Sequence, residues 1–432
     1  MSEILLQAAT LVDGSLVDIR IVGNVISEIG DNLRSAGELV DCTGFHVLPG
    51  FIDLHTHLRE PGKENTETVL TGSRAAVRGG YTAISAMANT NPVADSAGVV
   101  EQIWRLGKAA ALCDVYPIGA VSEGLAGERL AEIGAMASSA ARVRIFSDDG
   151  KCVSDPLLMR RALQYVKSFG GVIAQHAQEP RLTIGSQMNE GAVASELGLV
   201  GWPAVAEESI IMRDILLADT VKSRLHICHV STKGSVEIIR WAKSRGSLVT
   251  AEVTPHHLLL TEEMAKSYDP IFKVNPPLRN AEDVEALRAA LADGTIDIVA
   301  TDHAPHANED KDCEWGSAAF GMVGLETAFS VVVSTMISTG LMGWDRLVEV
   351  MSTAPARIGG YSEQGQAIAV GSTANITIVD GSAERQIIRE HLFSKSKNTP
   401  FHGMVLTGDV VHTIFRGKIV LRDKKLAEVP GA

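Results

Sequence analysis

The chain has 432 residues, too many for one small domain and enough for a barrel with a smaller companion. Hydrophobic residues make up 45% and charged residues 21%, the balance of an ordinary globular protein. A formal net charge of −13 argues against a nucleic-acid surface, which needs clustered Lys and Arg.

The N-terminal stretch MSEILLQAATLVDGSLVDIRIV has no basic region followed by a long apolar core, so no signal peptide is expected. No apolar run reaches the ~20 residues of a membrane span, and a cytoplasmic protein without membrane contact is expected. Residues 4–6, 17–22, 25–29 and 38–41 read as short strands, split by turn signals such as Asp13-Gly14 and Gly23-Asn24. The middle of the chain alternates. Strand-like apolar runs occupy 50–57, 82–87, 114–121, 142–149, 171–177, 224–230, 248–254 and 296–303. Helical patterns at 66–78, 155–168, 206–218, 235–243 and 281–291 separate most of them. Alternation of this kind implies parallel strands with helical crossovers, and eight runs over this length point to a closed barrel. No GxGxxG follows the first run, which weakens a dinucleotide-binding reading. The C-terminal part returns to strands at 374–379, 410–415 and 418–422, with a hairpin expected at Arg416-Gly417. The expected fold is therefore α/β: a (β/α)₈ TIM barrel at 51–358 with a small β-sandwich domain formed by 1–50 and 359–432.

Residues 304–324, rich in small and charged side chains, form one long connection, and such a loop at an active face is often a lid. Cys42, Cys113, Cys152, Cys228 and Cys313 are an odd set without a CxxC, which fits free thiols in a reducing compartment. All five are read as small, mostly buried hydrophobes.

Chemistry gathers where the runs end. The C-terminal strand ends form the active face of such a barrel. The first run ends in His55-Thr56-His57, the fourth in Asp148-Asp149, the fifth in His176, the sixth near His229 and the eighth in Asp302-His303. Period-two geometry puts His55 and His57 on one side of their strand, and two imidazoles with a nearby carboxylate suit zinc. An isolated HxH is a weak signal, but core histidines do not recur at successive strand ends by packing alone. Asp148 and Asp149 must face opposite ways, which leaves open which one points inward. Lys151 lies past the strand end and is the third alternative.

Several strings carry a resemblance. LPGFIDLHTHLREPG at 48–62 resembles the amidohydrolase superfamily, and its HLREPG portion is similar to class I bacterial dihydroorotases. MANTNP at 87–92, FSDDG at 146–150, QHAQE at 175–179, HICHVS at 226–231, EVTPHHL at 252–258, NPPLR at 275–279, ATDHAPH at 300–306 and FGMVGLET at 320–327 extend it over nearly the whole chain. The resemblance implies two zinc ions. His55, His57 and Asp302 would hold one, His176 and His229 the other, with Asp149 bridging them in place of the carboxylated lysine of many superfamily members. It implies Asp302 as general base and then acid. It further implies a substrate-carboxylate clamp of Arg59, Asn89 and His306, with Asn275 and the Phe320-Gly321 backbone meeting the amide edges of the ring. His57 belongs to this pocket as well. Reversible hydrolysis of dihydroorotate to N-carbamoyl-aspartate, a step of pyrimidine synthesis, is the implied activity. A homodimer is expected, and association with aspartate transcarbamoylase is left open.

Plainer readings compete. Arg59 alone would be read as a surface ion-pair residue; beside the HxH it is read as a ligand for a planar carboxylate. Asn89 serves equally as a turn residue. His226, offset by three from His229, is expected to face the other way and be structural. His256 and His257 are read as support for the rim, and His303 as a partner behind the ligands. His46, His391, His402 and His412 fall in the sheet domain as ordinary residues. A hydantoinase or allantoinase is the rival enzyme. A non-catalytic barrel that props up a transcarbamoylase is the rival of another class, but such a scaffold has no need of the ligands.

Overall fold

A computed structural model describes residues 2–427. Eight parallel strands make the barrel: β1 Phe51–Thr56, β2 Tyr81–Ala86, β3 Asp114–Pro117, β4 Ile145–Phe146, β5 Val172–Gln175, β6 Leu225–Ile227, β7 Val249–Val253 and β8 Ile298–Val299. They pair in two arcs, β1-β2-β3 and β4 through β8 in chain order. Parallel bridges between Gly119 and Phe146 and between Thr56 and His303 join the arcs into a ring. Several strands are much shorter than the apolar runs that predict them; β4 has two residues where 142–149 reads as strand. The runs are apolar because they are buried on every side, not because they are paired along their whole length.

The helices start where local chemistry dictates. Asp155 accepts from Leu158 N and Pro156 follows it, so the helix Pro156–Lys167 is capped and pre-organised at its first turn. Thr232 and Asn280 cap Lys233–Ser244 and Ala281–Asp293 in the same way. The predicted helix at 66–78 begins later, at Val69, because Thr68 forms a capping box with Thr71. Apolar side chains of strands and helices, among them Ile84, Val115, Ile173, Ile211, Ile239 and Leu287, share one buried cluster between the two layers.

Both ends of the chain meet in one nine-stranded sheet. Its junction is the antiparallel pairing of His46–Pro49 with the first residues of Ile376–Gln386. Ile4, Leu6, Ile19, Ile21, Val47, Ile376 and Ile414 pack into a separate core there. The hairpin expected at Arg416-Gly417 joins Val405–Phe415 to Lys418–Arg422, with φ of 49° and 72° at the two turn residues. A Cβ on Gly417 would sit 1.9 Å from the Gly23 carbonyl oxygen, so glycine is required there. The expected α/β architecture of a barrel with a sheet domain from both termini is therefore present. Among the described residues no helix is long and apolar enough to cross a membrane.

Candidate metal centre

The rim of the barrel is assembled first by backbone contacts between its two ends. Asp53, buried in β1, accepts from His55 N at 2.9 Å and from Thr301 N at 3.1 Å, which fixes β1 against the end of β8. His57 N donates to the His303 carbonyl at 2.8 Å. These bonds place His55, His57 and Asp302 beside one another although nearly 250 residues separate them. Three residues here adopt left-handed backbone: Arg59 (φ 62°), His229 (φ 30°) and Asp302 (φ 47°). Such conformations cost non-glycine residues about 1–3 kcal/mol and persist only where surrounding contacts enforce them.

Asp149 lies at the centre. Its Oδ1 is 3.3 Å from His55 Nε2, 3.2 Å from His176 Nδ1 and 3.3 Å from His229 Nε2. Its Oδ2 is 3.3 Å from His57 Nε2. Asp302 Oδ1 lies 3.0 Å from His57 Nε2 and 3.4 Å from His55 Nε2. Asp149 thus belongs both to a cluster with His55, His57 and Asp302 and to a second with His176 and His229. Asp148 turns the other way: its carboxylate accepts from Val121 N, Ser122 N and the Ser122 hydroxyl. Lys151 is exposed.

The outward nitrogen of three of these rings is already committed. His55 Nδ1 donates to Glu252 at 2.6 Å, His57 Nδ1 to Asn89 at 2.9 Å and His176 Nε2 to Gln178 at 2.8 Å. Their inward nitrogens therefore face carboxylates and each other, and hold there either a proton or a metal ion. His55 Nε2 is buried without a hydrogen-bond partner, and His176 Nδ1 stands 2.8 Å from His229 Nε2. A cation resolves this arrangement, and four imidazoles with two carboxylates suit a borderline divalent metal. The residues fit such a cofactor.

The charges agree. Burial alone would lower His55 and His57, but the carboxylates of Asp149 and Asp302, joined at His55 by Glu252, outweigh it and hold both rings above the usual histidine range. Burial pushes Asp302 upward, yet His55 and His57 bring its carboxyl down to about 2. Glu252 is held low in the same way by His55 and His226. Three ionised carboxylates around one buried pocket make a field that draws in cations.

The remaining predicted residues line the same rim. Arg59 is buried, its Nε donates to the Pro305 carbonyl at 3.1 Å, and burial lowers it only to about 10, so it stays charged near neutrality. His306 is pushed down to about 3 by burial and by Arg59, so it is neutral. Its Nε2 donates to the Phe320 carbonyl at 2.9 Å. Gly321 N donates to the Lys273 carbonyl at 3.0 Å, and its own carbonyl accepts from Asn398 at 3.3 Å. Three of the four Phe320-Gly321 backbone groups thus have partners inside the protein, because the connection folds back on the loop carrying Lys273. Asn275 donates to Gln178 at 3.1 Å and leaves its buried Oδ1 without a partner.

Sequence reasoning missed Glu252 and Gln178, which brace His55 and His176. Glu252 had a signal: a carboxylate in the apolar run of β7 must find donors to be buried. His226 also needs correction. It does not face away from the site but donates through Nε2 to Glu252 Oε2 at 2.9 Å, directly behind His55. The parity rule fails because β6 ends at Ile227 and His229 turns to positive φ. His303 accepts from Gly324 N and points its other nitrogen at Glu67, 3.4 Å away. His257 is tied to Thr254 and the Pro277 carbonyl. His256 is buried with Nε2 unpartnered.

Residues 44–235 match a family model described as dihydro-orotase-like. The chain is 62% identical over 427 residues to a dihydroorotase of Streptomyces coelicolor, covering 99% of this chain and 100% of that one. It is 53% identical over 416 residues to a dihydroorotase of Mycobacterium tuberculosis, covering 96% and 97%. Among solved structures it is similar to the L-hydantoinase (dihydropyrimidinase) of Arthrobacter aurescens, with TM-score 0.88 and 27% identity over 100% of this chain and 98% of that one. A dihydropyrimidinase from Brevibacillus agri shares the fold, with TM-score 0.86 and 24% identity over 100% and 97%.

Proposed function

The chain belongs to the dihydroorotase family, and from that premise we propose that its rim holds two zinc ions and carries out the reversible hydrolysis of (S)-dihydroorotate to N-carbamoyl-L-aspartate, a step of pyrimidine synthesis. The observation that carries this reading is Asp149, one carboxylate within 3.3 Å of imidazoles from both clusters. His55, His57 and Asp302 are assigned to one ion, His176 and His229 to the other, and Asp149 to both. When bound, the metals supply an acidified water and a polarised ring carbonyl.

The protein's own groups account for the rest. Asp302, ionised at neutral pH, takes a proton from the attacking water and hands it to the departing ring nitrogen, acting as base and then as acid. Ring closure uses the same transfer in reverse. Arg59 keeps its charge in a buried site, and with Nε on Pro305 it offers its Nη end to the substrate carboxylate. Asn89, held by His57 Nδ1, and the neutral His306 are assigned to the same clamp. The orphaned Asn275 Oδ1 suits a ring N–H, since a buried acceptor left unpaired is costly. The Phe320-Gly321 backbone is assigned to the amide edges of the ring, since each carbonyl oxygen has a second lone pair to offer. The buried Arg59 favours a carboxylated ring over a hydantoin or allantoin.

The domain division at 1–50, 51–358 and 359–432 is kept in this reading, supported by barrel strands that begin at Phe51 and C-terminal strands that begin at Ile376. The free cysteines support a cytoplasmic setting. A homodimer is part of this reading, and its interface is expected to cover exposed apolar side chains such as Leu182, Ile184, Val200 and Val205. Sedimentation of the protein, alone and with aspartate transcarbamoylase, tests the assembly.

The decisive experiment is a metal count on purified protein with rates on dihydroorotate, hydantoin and allantoin, for wild type and Asp149→Ala. Two zinc equivalents and a strong preference for dihydroorotate are expected of wild type, and loss of both metals and of turnover in the variant. An unchanged variant, or a preference for hydantoin, refutes the proposal.

A further inference from the structure

We propose that Glu252 is the positioning residue that ties the two halves of the metal centre together, so that both ions are held through one buried carboxylate that touches neither. The proposal rests on the two-metal reading above. Glu252 sits on β7 at 1% exposure. Its Oε1 accepts from His55 Nδ1 at 2.6 Å and from His229 N at 3.1 Å. Its Oε2 accepts from His226 Nε2 at 2.9 Å. His55 belongs to the first half of the centre and His229 to the second.

The two contacts act differently. Behind His55 the carboxylate fixes the ring so that Nε2 faces the pocket, and its charge makes that nitrogen a stronger donor. At His229 it holds the backbone, not the ring. A φ of 30° is a conformation a histidine leaves unless something retains it, and the N–H bond to Glu252 is such a restraint. His226 in turn anchors the carboxylate from the far side. A buried carboxylate that served only packing would be better replaced by an apolar residue. One that receives donors from both half-sites is placed to couple them.

Glu252→Gln separates charge from shape. The amide oxygen still accepts from His55 and His229, and its NH₂ donates to His226 once that ring takes its other tautomer. The test uses metal-free full-length protein, titrated with Zn²⁺ against a chromophoric chelator, with the melting temperature of the metal-free forms measured alongside. The expected result for E252Q is a loss of about 10- to 100-fold in affinity at both zinc sites, with little change in the metal-free melting temperature. His226→Gln, which keeps a donor for Oε2, should bind zinc nearly as wild type does. E252Q that binds both ions as tightly as wild type, or weakens only one, overturns the proposal. If E252Q does not fold, His226→Leu removes one anchor of Glu252 without touching a ligand. Both zinc affinities should then fall by a smaller factor, and unchanged affinities overturn the proposal. Wild type that takes up no zinc overturns the two-metal reading itself, whereas wild type with two zinc ions and an equally tight E252Q overturns only the role of Glu252.

Discussion

Arg59→Met is the sharpest test of substrate recognition. The guanidinium is buried, 9% exposed, and burial leaves it charged near neutrality. Among the described residues its one hydrogen bond to the protein, from Nε to the Pro305 carbonyl, has a charged donor and is worth about 1.5–3 kcal/mol, against which methionine avoids the cost of burying the charge. The variant should therefore fold and keep its metals. A substrate carboxylate meeting this charge is shielded from solvent, so removing the partner costs about 2–5 kcal/mol. At about 1.4 kcal/mol per factor of ten, kcat/KM for dihydroorotate should fall by about 30-fold to several thousand-fold. Dihydrouracil, the same ring without the carboxylate, has nothing to lose. Its rate should be equal in wild type and variant. Arg59→Lys should lie between, because it keeps the charge and gives up the fork. Steady-state kinetics on both substrates, with metal content measured in parallel, give the answer. An equal loss on dihydrouracil would refute the clamp and place the action of Arg59 at the metals instead.

Other consequences are testable. Asp302→Asn should cut turnover by about 10²- to 10⁴-fold, the usual contribution of a positioned base, while single-turnover kinetics place the defect in ring opening rather than binding. Gly321→Ala should raise KM with metal content unchanged, since the added Cβ would lie 2.8 Å from His306 Nε2 and from Ala304 Cβ, at a φ of 137° that disfavours any side chain. Buried Asp214 gives a pH signature. Burial, only partly offset by Arg213 and Gln175, raises its carboxyl from 3.8 to about 6. The folded state then holds a proton that the unfolded state has lost, so this contribution is complete below about pH 4 and disappears as pH rises to about 6. Asp214→Asn should match wild type near pH 4 and exceed it at pH 7 by up to about 3 kcal/mol; a melting-temperature difference independent of pH would contradict this.

The alternation of apolar runs and helical stretches was enough to read a barrel from the chain, because burial on both faces of a parallel strand demands continuous apolar sequence. The clustering of His55, His57, His176, His229 and Asp302 at the ends of those runs was equally legible, since their chemistry is local and their spacing follows the strands. The 304–324 connection is expected as a lid from its length and composition; what folds it is tertiary, with Lys311 Nζ donating to the Lys273 and Ala319 carbonyls at 3.1 and 2.9 Å.

Residue type and pleat therefore named the kinds of ligand and the side of β1 that carries two of them. Only the folded chain decided which neighbour in Asp148-Asp149 faces the imidazoles, that His226 stands behind His55, and that Glu252 receives donors from three histidines. The reason is physical. Facing follows a period of two only while backbone dihedrals stay extended, and at β4 and β6 the strands stop before the residues in question. Beyond that point, orientation is set by contacts between segments far apart in sequence, and no local pattern contains them.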